Sequence, residues 1–152
     1  MIRVEVSDVV FDGAAALAPL GTLGGGAVAS FTGFVRDDVN DQGGVTAIQI
    51  EHYPAMTREN LDALVNEAVL RWSLLGCVLV HRVGHIALGE AIVLVGAAAN
   101  HRAEALEACS YLIDRLKTHA PFWKKEYRAD GSADWVEAKA SDEMRASEWS
   151  TQ

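Results

Sequence analysis

Two places in this sequence hold side chains able to act on an anion: Asn100-His101-Arg102, and the stretch from Lys117 to Arg128. A helix is expected to begin at Asn100, where free backbone N–H groups and the positive end of the helix dipole already attract negative charge. His and Arg in that first turn are unfavourable for an isolated helix, by roughly a few tenths of a kcal/mol, and a bound phosphate or carboxylate would reverse the sign. Two exposed side chains carrying that small penalty are the plainer reading, and both stay open. Lys117 and Lys124 have Pro121 between them, so they belong to different elements, one at a helix end and one on the following strand. Two ammonium groups converging from two elements repel each other, which leaves one usable as a base or nucleophile. Taken singly, Lys117 is also a good C-terminal helix cation and Lys124 an ordinary strand residue. Arg36 closes a strand and precedes the polar, glycine-containing stretch Asp37 to Gly44, which could serve as a mobile lid; a plain surface arginine is the alternative.

Other chemistries find little support. His81 and His85 are four apart, but that spacing makes a metal pair on a helix, and here it straddles a strand end and Gly84; no metal is expected. No GxSxG, Walker loop or GxGxxG occurs. Cys77 and Cys109 are far apart and in no CxxC spacing, so they read as buried small hydrophobes in a reducing cytosol. The net charge of -8 argues against a general nucleic-acid or anionic-membrane surface. Against that background all four lysines, Lys117, Lys124, Lys125 and Lys139, fall in the last 36 residues, a basic island that fits either a specific anion site or a chance cluster on a solvated face.

The elements that must position these residues follow from periodicity. At 152 residues the chain fits one domain, 1–152, with no repeat, no linker, no secretory leader and no apolar run of membrane length; Gly24-Gly25-Gly26 is its loosest point. Ile2 to Val6, Ala27 to Val35 and Thr46 to Tyr53 read as strands, and Ala14 to Leu23 as a loop or short helix. Thr57 is the expected N-cap of a first helix, with apolar residues at Leu61, Leu64, Val65, Ala68 and Trp72 and an end near Gly76. Cys77 to Val83 and Ala91 to Ala98 are apolar runs of strand length. Asn100 is the expected cap of a second helix, whose inward stripe is Ala105, Cys109, Leu112, Ile113 and Leu116, ending near Lys117 to His119 ahead of Pro121. Phe122 to Tyr127 and Asp134 to Ala138 form a hairpin around Asp130-Gly131. The class is α+β, a mixed or antiparallel sheet covered by two main helices plus a C-terminal hairpin.

Strings along the chain add a resemblance. Phe31-Thr32-Gly33-Phe34-Val35-Arg36, Glu51-His52-Tyr53-Pro54-Ala55-Met56, His81-Arg82-Val83-Gly84, His101-Arg102, Lys117-Thr118-His119-Ala120-Pro121-Phe122-Trp123-Lys124-Lys125-Glu126 and Trp135-Val136-Glu137-Ala138 occur in that order. Together, from about Ala27 to Asp142, they resemble the large, catalytic subunit family of molybdopterin synthase. The resemblance implies a hammerhead-type α/β domain that dimerises. It implies a cytoplasmic sulfurtransferase that needs no cofactor and no metal at this step. Each subunit would take a small ubiquitin-like carrier from another chain, whose C-terminal Gly-Gly thiocarboxylate delivers sulfur, twice, to cyclic pyranopterin monophosphate. Two copies of this chain and two carriers would form a heterotetramer.

The same resemblance assigns roles. Lys117 and Lys124 would be the catalytic lysines, Lys117 moving protons or transiently holding the carrier's acyl end and Lys124 stabilising developing negative charge. Arg36, His101 and Arg102 would hold the substrate phosphate, with Lys125 and Glu126 flanking the pocket and Lys139 reaching toward a partner's site. The sequence departs from the family where Phe34 stands in place of a lysine, His119 in place of an arginine, and Lys139 in place of an arginine fork. Residues 1–26 match little, and 143–152 are expected to form a flexible tail. A carrier-docking module without chemistry and a phosphate-ester hydrolase are the rival readings; the first would lack Lys117 or Lys124, the second would need a nucleophile or metal set.

Overall fold

A computed structural model describes residues 1–136 and 140–151. The first strand, β1 (Ile2–Ser7), leads into a short helix, α1 (Gly13–Leu17), and a 3-10 turn (Ala18–Thr22). Then come β2 (Ala27–Phe34), β3 (Val45–His52), α2 (Pro54–Trp72), β4 (Gly76–Arg82), β5 (Gly84–Ala87) and β6 (Ala91–Ala99). The chain ends with α3 (Arg102–His119), β7 (Phe122–Arg128), β8 (Ala133–Val136), α4 (Ala140–Glu148) and a second 3-10 turn (Trp149–Thr151).

The expected single sheet is two four-stranded sheets. The first has the order β1-β4-β6-β2, with β1 parallel to β4 and the other neighbours antiparallel. β4 is buried at every position because both faces are covered. On one face lie α2 and α3, through Leu61, Val65, Ala68, Trp72, Ala108 and Leu112; on the other lie Ala16 and Leu20 of the N-terminal helices. The second sheet, β5-β3-β7-β8, is antiparallel throughout and closes over Val35, Val45, Ile48, Ile50 and Ile86. The chain passes from one sheet to the other at Gly84, whose φ of 77° only glycine adopts without strain. His81 and His85 therefore belong to different sheets. Among the described residues no helix is long and apolar enough to cross a membrane.

Both helix starts differ from the expected caps. α2 begins at Pro54, three residues before Thr57, because proline's fixed φ suits the first helical position. Thr57 instead sits buried inside the helix with its hydroxyl 3.1 Å from His52 Nδ1. α3 is capped by His101 rather than Asn100, without a side-chain hydrogen bond. It ends at His119, where Pro121 leaves Ala120 extended at ψ 137°. Its stripe of Ala105, Cys109, Leu112 and Leu116 is buried as the spacing requires, and Ile113 packs at the margin. Gly25 and Gly26 are not a loose point: a Cβ on either would collide with the carbonyl of Ala99 or Asn100, so the chain is pressed against the start of α3.

The C-terminal segment also differs from expectation. Residues from 143 onward, read as a flexible tail, continue α4 and its closing turn against α3. Trp149 is the reason. Its indole Nε1 donates to Asp114 at 2.8 Å, and its ring meets Trp72 and Tyr111 edge-on at 5.8 and 5.7 Å. Arg145 adds a 3.2 Å bond to the same carboxylate. β7 and β8 form the expected hairpin, with Gly131 at φ 86° in its turn; Glu137, Ala138 and Lys139 lie outside the described residues.

Candidate functional site

The link between α3 and β7 is two residues long, Ala120-Pro121, and the Phe122 N–H donates back to the Ala120 carbonyl at 2.8 Å to tighten it. That turn brings the last turn of α3, carrying Lys117, next to the first residues of β7, carrying Lys124. Lys117 is exposed and Lys124 half-buried. Cross-strand partners share a face. Lys124 pairs with Ile50 on one side and Val136 on the other, so it flanks the apolar inner face that also carries Phe122 and Glu126. Lys125 points the opposite way, paired with Gln49 and Trp135, its Nζ 5.5 Å from the Trp135 ring and 5.9 Å from Tyr127. The adjacent lysines thus face opposite sides of the second sheet.

Glu126 shares the Lys124 face but is committed elsewhere. Its Oε2 accepts from Arg128 Nη2 at 2.8 Å, and both side chains are nearly buried. Arg128 Nη1 donates to the carbonyls of Asp38 at 2.6 Å and Gly43 at 3.0 Å. The loop expected to be a mobile lid is consequently strapped to β7, with a further bridge between Asn40 and Gly43 inside it. Arg36 opens this loop, exposed, with Nε 3.0 Å from Asp38 Oδ2. Phe34, also exposed, ends β2 just before it.

Chain direction decides which candidates meet. β2 runs antiparallel to β6, with Phe34 beside Ala91 and Ala27 beside Ala99. α3 leaves the Ala99 end and returns over β2 and β6 toward the Ala91 end. Lys117, Lys124 and Arg36 therefore collect at one end of the molecule. His101 and Arg102, both exposed, stand at the other. With 1.5 Å of rise per residue, the fifteen steps from Arg102 to Lys117 amount to roughly 22 Å. No single copy brings the two groups together. Lys139 lies outside the described residues.

His119 turns away from the lysines. The Thr118 hydroxyl donates to Asp114 O at 3.1 Å, so His119 Nδ1 donates to Thr118 Oγ1 at 2.6 Å and Nε2 accepts from Arg115 Nη1 at 3.1 Å. Arg115, His119 and Tyr111 line a cavity of about 270 Å³ against Leu64 and Glu67 of α2. That concavity belongs to the groove between the helices, on the other side of α3 from Lys117.

Sequence reasoning passed over two features. One is the Arg128 strap, for which Glu126 and Arg128, two apart on a strand, were the available signal. The other is His81, buried and stacked on Phe122 with ring centroids 4.0 Å apart. Burial pushes its pKa down to about 4.

Comparison with known proteins places relatives beside this geometry. Residues 7–119 match the family model described as MoaE protein. A relative from Mesorhizobium japonicum named molybdopterin synthase catalytic subunit is 48% identical over 151 residues, covering 97% of this chain and 92% of its own. The MoaE protein of molybdopterin biosynthesis from Burkholderia ambifaria superposes with a TM-score of 0.82 at 37% identity, over 100% of both chains. The molybdopterin synthase structure from Staphylococcus aureus superposes with a TM-score of 0.68 at 31% identity, over 74% of this chain and 80% of that one.

Proposed function

This chain belongs to the MoaE family, and from that premise we propose how it works as the catalytic subunit of a molybdopterin synthase. It transfers sulfur from the C-terminal thiocarboxylate of a small ubiquitin-like carrier to cyclic pyranopterin monophosphate, building the dithiolene of molybdopterin. Each transfer forms a C–S bond on a pterin side-chain carbon as the C–O bond at that carbon breaks and its oxygen leaves, and it breaks the carrier's acyl–sulfur bond; the acyl end leaves as a carboxylate whose new oxygen comes from water. The observation that carries this reading is the pair Lys117 and Lys124, held on either side of the Ala120-Pro121 turn.

In this assignment Lys117, exposed at a helix end, moves protons or briefly holds the acyl carbon as an amide that water then opens. Lys124, seated at the edge of an apolar face, stabilises the negative charge that develops on oxygen or sulfur, where partial exclusion of water strengthens it. Arg36 takes part in holding the phosphate from the same end. His101 and Arg102 cannot reach that phosphate within their own chain, so they come from a second copy. Free N–H groups at the start of α3 add to their attraction for the anion. A complete site is therefore shared across a homodimer, with one carrier bound at each. Lys125 and Glu126 flank the pocket, Glu126 by holding Arg128 and with it the loop after Arg36. Lys139 contributes to the partner's site, and the compartment is the reducing cytosol, where Cys77 and Cys109 stay as thiols.

The test is a defined mixture of this protein, a thiocarboxylated carrier and cyclic pyranopterin monophosphate, with wild type, Lys117→Ala and Lys124→Ala compared. Wild type is expected to give molybdopterin, and Lys117→Ala to lose about a hundredfold or more in kcat while still binding carrier. Carrier binding by wild type with no dithiolene product would replace the catalytic reading with a docking module.

A further inference from the structure

The string His81-Arg82-Val83-Gly84 takes no part in the roles above, yet it underlies the turn that carries both lysines. The His81 ring lies flat against Phe122, with planes 14° apart and centroids separated by 4.0 Å. Its Nδ1 is 2.7 Å from the Arg82 carbonyl. A carbonyl oxygen only accepts, so Nδ1 carries the proton and the rotation of the ring is fixed. The support beneath it is rigid as well. The Arg82 guanidinium is buried, donating to Glu90 Oε2 at 2.9 Å and to the Ala91 carbonyl at 3.4 Å.

Among the described residues Phe122 is the one aromatic packed against both the helix-covered core and the core of the second sheet. Its cross-strand partner His52 stands 6.1 Å away, hydrogen-bonded to Thr57 of α2. Lys124 is the next residue on the same face of β7, and Lys117 lies in the helical turn just before Phe122. Phe122 is thus the first residue of β7 after the turn, and its ring is seated between the two cores.

We propose that His81 is a positioning residue for the sulfur-transfer site: its ring, stacked on Phe122, sets the separation and relative direction of Lys117 and Lys124. This rests on the sulfur-transfer reading given above. The effect falls on the chemical step rather than on binding, because the ring sits beneath the lysine-bearing turn and not on the surface that meets carrier or pterin. A displacement of about 1 Å at reacting groups can cost about a hundredfold in rate.

Two substitutions separate the ring from the hydrogen bond. His81→Phe keeps a flat ring over Phe122 and removes the donor; His81→Asn keeps a donor near the Nδ1 position and removes the ring. With full-length protein, thiocarboxylated carrier and pterin substrate, His81→Asn is expected to lower kcat about tenfold or more with KM within about twofold. His81→Phe should stay within about threefold of wild type. In parallel, an amine-acylating reagent applied to the protein alone, read by mass spectrometry, should change its labelling ratio between Lys117 and Lys124 in His81→Asn but not in His81→Phe. Should His81→Asn fail to fold, Phe122→Leu removes the other ring and must give the same fall in kcat and the same change in ratio. Wild-type kcat and labelling ratio in His81→Asn or Phe122→Leu, or equal losses in His81→Asn and His81→Phe, would overturn the proposal. If wild type makes no dithiolene product, the sulfur-transfer reading fails by itself, and the labelling ratios still decide whether His81 governs the lysine pair.

Discussion

Arg102 and Lys117 open and close the same helix, so the two basic groups of this molecule are held apart at opposite ends of α3. An α-helix is stiff over this length, and no rearrangement of loops brings Arg102 to its own Lys117 across roughly 22 Å. Arg36 and Lys124, by contrast, reach the Lys117 end from β2 and β7.

Mixed dimers test whether the site is shared. Arg102→Ala and Lys117→Ala are each expected to abolish product formation when purified alone. Mixing them under exchange conditions makes half of the dimers hybrid, each with one intact site and one doubly broken one, so activity should return to about one quarter of wild type. Product formation followed against mixing ratio checks this. Complete absence of recovery, with subunit exchange verified by mass, would place both residues at a site within one chain.

Arg128 is the second place where a single side chain organises the site. It is nearly buried, paired with Glu126 and bonded to two carbonyls of the loop after Arg36. Replacing it by alanine leaves the Glu126 carboxylate buried without its partner, a loss of about 3 kcal/mol. Urea denaturation of Arg128→Ala should show that fall. Limited proteolysis should show new cutting between residues 37 and 44, while Glu126→Gln/Arg128→Met should recover part of the stability and none of the loop protection. Unchanged cutting in Arg128→Ala would mean that the loop is held by its own Asn40–Gly43 bridge.

How far the sequence foretold these arrangements depends on whether the deciding force was local. The stripe from Ala105 to Leu116 and the stop at Pro121 are local, and α3 has the expected face and end. The caps were misplaced because Thr57 and Asn100 have good capping chemistry, but Pro54 and the extended backbone of His101 come into play first. The second sheet was missed because strand period and turn residues do not say which strands pair, and the adjoining β4 and β5, divided only by Val83, belong to different sheets. Lys117 and Lys124 were legible as a pair since only a proline turn separates them. The partition of Lys124 from Lys125 depends on strand register, and the strap from Arg128 joins residues 85 and 90 positions apart; neither leaves a pattern in composition or spacing.

Trp149 illustrates a contact that composition hides. A helix rich in charged and small residues reads as a tail, yet the indole that follows it packs edge-on against the Trp72–Tyr111 pair and bonds to Asp114. Trp149→Ala should destabilise by about 2 kcal/mol, less than for a fully buried tryptophan because the residue is only partly buried. For a chain of this size that is a fall of about 4–8 °C in Tm, read by calorimetry. A Tm within one or two degrees of wild type would mean that the segment after 140 adds nothing to the fold in solution.

His81 should make the fold sensitive to mild acid. Burial lowers its pKa from 6.5 to about 4, so the folded state resists a proton that the unfolded chain accepts readily. Above the unfolded value both states are neutral and His81 contributes no pH dependence. As pH falls below it, the unfolded chain takes the proton first, and stability drops until the folded state also titrates. The window is therefore pH 6.5 down to about 4, with a total of roughly 3 kcal/mol at its acid end. Carboxylates titrate in the lower part of that window in every variant, so the measurement is a difference: unfolding free energy against pH for wild type and His81→Phe. The two curves should run parallel above pH 7 and separate below it, with His81→Phe losing less. Parallel curves down to pH 4 would mean that the imidazole takes up its proton in the folded state about as easily as in the unfolded one, and that Phe122 stacks on a cation.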